Sequence, residues 1–145
     1  MVRVVDGDTV YVLDVAETQH KIRLAGIDAP ERGQPFGTRS KQRMADLVGA
    51  KDVEVDWYKA DHWGRRIGTV WVASPDCRSA PCAKTLDTGL ALITSGLAWH
   101  FKRYAHEQSV EDRERYAFAE KEARARSVGL WGDPNPVPPW EWRRR

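Results

Sequence analysis

The sequence predicts a mainly β domain with helices, built as a five-stranded barrel accompanied by about three α-helices. Two observations support this prediction. Apolar and polar residues alternate with the period of a β-strand in the first third of the chain and again in its middle, and segments with helical spacing follow. The 145 residues contain no internal repeat and no linker, so we expect a single domain over residues 1–145.

The first two strands form a predicted hairpin. Thr9–Val15 alternates between apolar and polar residues, Glu17–Gln19 supplies a turn, and His20–Ile27 is the second strand. Further strands are predicted at Asp52–Trp57 and Ile67–Ala73, with a polar loop between them. Short strands that close on each other, with helices inserted and appended, indicate a barrel of the OB-fold type. A ferredoxin-like sandwich is the competing fold.

Three helices are predicted from helical spacing and from glycines that stop a helix. They lie within residues 39–50, from residue 86 to Gly96, and from about Val110 to Ser127. The remaining segment, at about residues 133–145, is rich in Pro, Trp and Arg. Proline lacks a backbone donor and fixes φ, so we expect an extended, polyproline-like tail there.

The composition permits nucleic-acid binding without arguing for it. Charged residues make up 30% of the chain, but the net charge is only +2. Basic residues occur in local groups, among them Arg65-Arg66 and Arg143–Arg145, which we interpret as solvated surface. No apolar run approaches the roughly 20 residues of a membrane helix, so we expect no membrane contact.

Two cysteines, Cys77 and Cys82, lie in a polar loop that contains prolines. No histidine or further cysteine lies near them, so we expect a disulfide rather than a zinc site. A disulfide predicts an oxidising compartment, and we therefore expect a secreted or periplasmic protein whose leader is absent from this chain. The alternative is a cytoplasmic protein with two free thiols.

Two aspartates flank the predicted hairpin. Asp8 precedes its first strand and Asp28 follows its second, so antiparallel pairing brings both to the same edge of the sheet. Two carboxylates at that edge repel each other unless a cation lies between them. Oxygen ligands of this kind suit Ca²⁺ or Mg²⁺. The alternative is that both aspartates are exposed turn residues, and Asp6 is either a neighbour that orients a metal-bound water or a plain turn residue.

Three further charged side chains indicate which reaction a site at these aspartates could carry out. Glu31 follows Asp28 after a stiffening proline and could reach a water near the metal. Arg23 lies in the second strand and Arg65 follows a glycine-containing loop, and either could contact a phosphate or form a simple ion pair. A metal, a carboxylate beside a water and two guanidiniums would suit phosphodiester hydrolysis.

In this pattern the chain resembles the thermonuclease (staphylococcal nuclease-like) family. The matching motifs occur in family order and cover nearly the whole chain. They are "VVDGDTV" at Val4–Val10, "IRLAGIDAPE" at Ile22–Glu31, "PFG" at Pro35–Gly37, "DHWGRRIGTVWV" at Asp61–Val72, "GLAW" at Gly96–Trp99 and "ARARSVGLW" at Ala123–Trp131. Together they are far more specific than any one of them alone.

The resemblance implies a Ca²⁺-dependent nuclease on an OB-fold barrel, acting on DNA and RNA with single strands preferred. It implies that Asp8 and Asp28 bind Ca²⁺ and that Ala29 adds its backbone carbonyl, where many relatives have Thr. It also implies that Arg23 and Arg65 are the catalytic arginines. Glu31 matches the catalytic carboxylate, either as general base or as the group that positions the water, and the products carry 3′-phosphates.

The chain departs from the family pattern in the third motif. Many members have a Lys-Tyr pair where this chain has His62-Trp63, and Tyr104 matches another nucleotide-contacting position. We expect these three residues to contact the nucleotide. The alternative is that the aromatic side chains of Trp63 and Tyr104 only pack against neighbouring residues. We expect a monomer without a protein partner. The alternative function is a non-catalytic OB-fold module that binds nucleic acid or protein, although such a copy would be expected to have lost a site residue.

Overall fold

A computed structural model describes residues 2–145. The strands are β1 (Val2–Asp6), β2 (Thr9–Leu13), β3 (Gln19–Leu24), β4 (Ile27–Asp28), β5 (Glu54–Ala60), β6 (Arg66–Ala73), β7 (Lys84–Asp87) and β8 (Trp99–His100). The α-helices are α1 (Gly37–Val48), α2 (Thr88–Thr94), α3 (Val110–Ala125) and α4 (Pro139–Trp142). Two 3₁₀ helices cover Lys102–Glu107 and Gly129–Gly132.

The strands form one mixed sheet and one small pair. The sheet has the order β1-β2-β3-β6-β5, with β7 also paired to β6, and β4 pairs with β8. All neighbours are antiparallel except β3 and β6, which run parallel. This confirms a mainly β domain with helices, resembling an OB fold, although within residues 2–145 no ladder joins β1 to β5. Strands β7 and β8 escaped prediction because four and two residues are too few to show an alternating pattern.

The predicted second strand, His20–Ile27, is broken in the structure. Strand β3 ends at Leu24, a turn follows, and the chain resumes as β4 at Ile27. Gly26 makes this turn with a φ of 79°, a conformation that glycine adopts without a steric cost. Asp28 therefore lies on a separate strand pair.

The core lies between the inner face of the sheet and helices α1, α2 and α3. Fully buried aliphatic side chains from both layers fill it, among them Val10, Ile22, Leu24, Val70, Val72, Met44, Val48, Leu92 and Ile93. Each such side chain stabilises the fold by roughly 1.5–3 kcal/mol relative to exposure. The helical spacing in residues 39–50 is confirmed, because Ser40, Met44, Leu47 and Val48 form the buried face of α1. In residues 2–145, no helix has the length and apolar character needed to cross a membrane.

The sequence predicted an extended C-terminal tail, but the last part of the tail forms one helical turn. Pro139 begins α4, where its missing donor costs nothing since the first turn of a helix leaves its donors unpaired. The Trp140 ring stacks on Phe101 at a centroid distance of 5.5 Å and meets Trp99 edge-on at 5.4 Å. The Gln34 amide donates to the Val137 carbonyl oxygen at 2.6 Å, so the tail is held against the domain.

A loop of residues 74–83 between β6 and β7 carries the two cysteines. The sulfur atoms of Cys77 and Cys82 are joined as a disulfide, with Cα atoms 6.1 Å apart. The loop lies on the surface, with most of its residues exposed.

Helix α3 carries a buried charge that the sequence pattern did not indicate. Tyr116 and Ala123 are buried in α3, and Glu120 is buried with them. Glu120 accepts the backbone N–H of His100 at 2.7 Å and pairs with the Lys102 ammonium at 2.5 Å. These contacts satisfy the carboxylate and tie α3 to strand β8.

The buried imidazole of His100 makes stability sensitive to mild acid. Burial lowers the pKa of His100, aided by the nearby Lys102 charge, while Gln108 and Glu120 oppose this in part. Between that lowered pKa and the ordinary value of about 6.5, the unfolded chain binds more protons than the folded chain. The contribution of His100 to the free energy of unfolding is therefore lost as the pH falls below about 6.5.

We expect His100→Asn to flatten the dependence of unfolding free energy on pH between about pH 7 and pH 5, measured by urea denaturation in chelator. The exposed His106 supplies the matched control, since His106→Asn should keep the wild-type slope. Equal slopes for the two variants would contradict the assignment to His100.

Candidate active site

An open cleft of about 1180 Å³ lies at the end of strands β2 and β3. It is lined by most of the side chains that the sequence singled out: Asp6, Asp8, Arg23, Glu31, His62, Trp63, Arg65 and Tyr104. Asp28 lies behind the cleft wall, with none of its surface exposed, and connects to the cleft through its arginine partners. The structure thus gathers motifs that are far apart in the sequence.

Asp8 and Asp28 meet as the hairpin predicts. Strands β2 and β3 pair antiparallel with Thr9 opposite Arg23, so the turn before β2 lies beside the end of β3. The Ala29 N–H donates to Asp8 Oδ2 at 2.8 Å, which ties the two aspartate segments together. Both carboxylates are buried, so the alternative of exposed turn residues is wrong.

The turn that carries Asp8 is packed too closely for any side chain at Gly7. A Cβ atom there would lie 2.0 Å from Ser40 Oγ and 2.9 Å from Ala29 Cβ. Glycine therefore lets the turn sit directly on α1 and on the segment after Asp28. This close approach places the Asp8 carboxylate within reach of Ala29.

Arg23 lies beside both buried carboxylates. Its Nη1 donates to the Leu24 and Ile27 carbonyl oxygens at 2.7 and 2.9 Å, which fixes the guanidinium plane. Its Nη2 lies 3.5 Å from Asp8 Oδ2 and 3.4 Å from Asp28 Oδ1. The turn at Gly26 directs the Leu24 and Ile27 carbonyl oxygens toward the same nitrogen of Arg23. The break in the predicted strand therefore helps to position the Arg23 guanidinium.

The two buried carboxylates differ in acidity. Burial disfavours the ionised form of Asp8, but the Arg23 charge and hydrogen bonds, including that from the Ala29 N–H, outweigh it and lower the pKa of Asp8. Burial raises the pKa of Asp28, and the hydrogen bonds from Arg143 offset only part of this effect. A cation that binds between them would favour the ionised form of both.

Asp6 is a third carboxylate beside this pair. Its Oδ1 accepts the Asp8 backbone N–H at 3.1 Å, which helps to shape the turn. Burial, with the charge of Asp8 next to it, raises the pKa of Asp6 to about 8. Its predicted role of orienting a metal-bound water stays a prediction.

Glu31 projects into the cleft from a rigid loop. Its N–H donates to Gln34 Oε1 at 2.9 Å, and its carbonyl oxygen accepts the Gln34 N–H at 3.0 Å. At Gly37 a Cβ atom would lie 2.1 Å from the Glu31 carbonyl oxygen, so this position requires glycine. Phe36 before it has a φ of 70°. The "PFG" motif therefore holds the backbone of Glu31 while its carboxylate stays partly solvent-facing.

Arg65 is held by a residue that the sequence did not single out. Asp61 Oδ1 accepts the backbone N–H groups of Trp63 and Arg65 at 3.0 and 2.9 Å. Its Oδ2 accepts the Arg65 Nε at 2.7 Å. Gly64 closes the loop with a φ of 80°. Asp61 lies two residues before Trp63 and four before Arg65, with Gly64 between those two. An aspartate at this spacing ahead of a glycine is the sequence signal that would have indicated this turn.

Aromatic side chains project along the cleft. Trp63 is 69% exposed, with the His62 ring 3.6 Å from its own, and Tyr104 is 41% exposed. Their predicted nucleotide contacts stay predictions. Tyr58 also lines the cleft, and its hydroxyl donates to Glu107 Oε1 at 2.8 Å, a link between β5 and the 3₁₀ helix that sequence reasoning missed.

The terminal arginines are exposed, as interpreted from the sequence, but Arg143 also pairs with two carboxylates of the site. Its Nη1 and Nη2 lie 3.1 Å from Asp28 Oδ1 and 2.7 Å from Asp28 Oδ2, and Nη1 also lies 2.5 Å from Glu31 Oε1. The hydrogen bonds that Arg143 donates to Asp28 and Glu31 raise the pKa of Arg143 further above its ordinary value. No local sequence pattern predicts the contact between Arg143 and Asp28, because these residues lie 115 positions apart.

The donor groups fit a hard cation. Across residues 2–145, no three His, Cys, Asp or Glu side chains converge as a ready-made metal cluster. The site instead offers two buried carboxylates, with Glu31 and Asp6 at its rim, and the cleft admits waters as further ligands. Oxygen ligands completed by water are what Ca²⁺ accepts in its flexible coordination shell. The carbonyl of Ala29 as a ligand stays a prediction.

The fold and the cleft define a class of small β domain in which buried carboxylates and arginine side chains meet at one open cleft. A family model described as Staphylococcal nuclease homologue matches residues 21–133. The chain therefore belongs to the staphylococcal nuclease family, as its motifs predicted.

Several named relatives align over most of the chain. Micrococcal nuclease of Shigella flexneri is 40% identical over 146 residues, covering 99% of this chain and 79% of that protein. Protein ParB of Escherichia coli is 39% identical over 144 residues, covering 99% and 77% respectively. The probable staphylococcal-like nuclease CAN2 of Oryza sativa subsp. japonica is 35% identical over 131 residues, covering 90% of this chain and 31% of that protein.

We expect Asp61→Ala to loosen the loop that carries Arg65, because it removes the acceptor of three hydrogen bonds. Amide hydrogen exchange at Trp63 and Arg65, followed by NMR, should become faster while core amides keep their protection. Asp52→Ala, at an exposed position in another loop, is the control and should leave both amides unchanged. Unchanged exchange in Asp61→Ala would show that the loop is held by other contacts.

Proposed function

We propose that this protein is a Ca²⁺-dependent nuclease that hydrolyses DNA and RNA, with single strands preferred, to products with 3′-phosphates. The observation that carries the proposal is the gathering of Asp8, Asp28, Arg23, Glu31 and Arg65 around one open cleft. Membership of the staphylococcal nuclease family and the nuclease names of its relatives support it.

In this proposal Asp8 and Asp28 hold the Ca²⁺ ion, with the Ala29 carbonyl as a further ligand. The bound ion supplies positive charge that orients and polarises the phosphoryl group. Arg23 and Arg65 bind the phosphate oxygens, and their guanidiniums stabilise the additional negative charge that develops at phosphorus. Asp61 keeps Arg65 oriented for this task, since it holds both the side chain and the backbone of that arginine.

Glu31 acts on the attacking water. Its carboxylate lies in the cleft and takes a proton as the water oxygen forms its bond to phosphorus. The bond from phosphorus to the 5′-oxygen breaks, and this oxygen leaves with a proton from solvent, so the phosphate stays on the 3′ side. The backbone hydrogen bonds with Gln34 and the close packing at Gly37 keep Glu31 in position.

The walls of the cleft suit an unpaired strand. Trp63 and Tyr104 offer exposed rings on which bases can stack, each such contact being worth roughly 1–3 kcal/mol, and His62 lies beside Trp63. Stacking tolerates any base, so little sequence preference is expected. Lys21, Lys59 and Arg103 line the same cleft and provide positive charge for the backbone.

The location that we propose is an oxidising compartment, outside the cell or in the periplasm. The bond between Cys77 and Cys82 supports this proposal, because such bonds persist where thiols are not kept reduced.

Removal of Ca²⁺ should abolish cleavage. We expect single-stranded DNA to be degraded with Ca²⁺ and left intact in excess chelator, because the phosphate loses the charge that polarises it. End-group determination of the products should find 3′-phosphates. Cleavage that persists in excess chelator would contradict the mechanism, and 5′-phosphate ends would contradict the direction of bond breakage.

Substitution of the two cleft side chains that act on substrate should lower turnover without unfolding the domain. We expect Glu31→Gln to lower kcat by about 10²–10⁴-fold, and Arg65→Ala to lower it by about 10²–10³-fold. The matched control is Arg66→Ala, since Arg66 lies over the Trp57 ring and is not among the residues that line the cleft. A wild-type rate for Arg65→Ala would remove that residue from the mechanism.

A further inference from the structure

The tail places a third guanidinium directly on the proposed metal ligands. Arg143 uses both of its terminal nitrogens on the two oxygens of Asp28, at 3.1 and 2.7 Å, which is the bidentate geometry that arginine forms with carboxylates. The same Nη1 contacts Glu31 Oε1. One side chain therefore engages both a carboxylate assigned to the cation and the carboxylate assigned to the water.

The contact is made by an anchored segment. Pro139 is buried, Trp140 packs on Phe101 and Trp99, and the Val137 carbonyl accepts from Gln34. None of these contacts involves the guanidinium of Arg143. The helical turn can therefore stay in place while the long side chain of Arg143 moves.

Arg143 and a Ca²⁺ ion compete for Asp28. Ca²⁺ binds carboxylate oxygens at about 2.3–2.6 Å, so an ion on either oxygen of Asp28 would lie within a few ångströms of the guanidinium. Two positive charges so close to each other repel strongly in a partly buried site. The Arg143 side chain keeps 41% of its surface exposed, so water can solvate it once it leaves Asp28.

We propose that Arg143 is an internal counter-cation that closes the site and that Ca²⁺ must displace it from Asp28. This inference rests on the proposed function, because the identification of the ion as Ca²⁺ is taken from it. In the closed state Arg143 compensates the buried charge of Asp28 and covers Glu31. In the open state both carboxylates are released, and the anchored α4 keeps the guanidinium at the mouth of the cleft.

The test is the Ca²⁺ affinity of metal-free protein, measured by isothermal titration calorimetry without nucleic acid. Arg143→Gln removes the competing charge, and we expect its Kd for Ca²⁺ to be about tenfold or more tighter than that of wild type. Arg144→Gln is the matched control, because Arg144 also lines the cleft and loses the same charge, yet makes no ion pair with either carboxylate. Its Kd should change by less than about threefold.

A second variant and a second measurement guard against a misfolded protein. Arg143→Lys keeps the charge but cannot form the bidentate contact, so its Kd should lie between those of wild type and Arg143→Gln. In chelator, Arg143→Gln should have a lower Tm than wild type because Asp28 loses a partner. Added Ca²⁺ should then raise its Tm by more than that of wild type.

The outcomes separate this inference from the nuclease proposal. A Kd for Arg143→Gln equal to that of Arg144→Gln, or weaker than wild type, would overturn the competition. Absence of Ca²⁺ binding by wild type and by Arg143→Gln would overturn both the competition and the choice of ion. A tighter Kd in a protein that cleaves neither DNA nor RNA would leave the competition standing and overturn the nuclease proposal alone.

Discussion

The structure around the cleft is organised by the need to compensate two buried carboxylates. Asp8 and Asp28 are almost wholly removed from solvent, and burial of an uncompensated charge costs several kcal/mol. Arg23 contacts both carboxylates, the Ala29 N–H donates to Asp8, and Arg143 forms an ion pair with Asp28. A cation bound between the two carboxylates, as proposed above, would remove their repulsion and use their oxygens as ligands.

Arg23, Glu31 and Arg65 are each held in place by a short local feature of the chain. The turn at Gly26 aims two carbonyl oxygens at Arg23, the close approach at Gly37 holds the backbone of Glu31, and Asp61 wraps the loop that carries Arg65. The parallel pairing of β3 with β6 brings the Gly26 turn and the Asp61 loop to the same cleft. Local rigidity of this kind supplies the positioning that a chemical step requires.

The C-terminal segment connects the stability of the domain to the state of the site. Its aromatic anchor, Trp140, packs on Trp99 of strand β8 and on the adjacent Phe101, and β8 pairs with the strand that carries Asp28. Arg143 then reaches from the last helical turn to the carboxylates. The segment is therefore part of the cleft, although its proline-rich sequence suggested only a surface tail.

The sequence by itself determined the mainly β class, the hairpin and the pairing of Asp8 with Asp28. Alternation with a period of two and the antiparallel geometry of a hairpin are local rules that need no tertiary knowledge. Only the tertiary structure decided the break at Gly26, the buried Glu120 and the place of Arg143. Strands of two residues carry no periodic signal, and a polar group is buried only where a distant partner satisfies it. Arg143 meets Asp28 across 115 residues, a contact that only the folded chain creates.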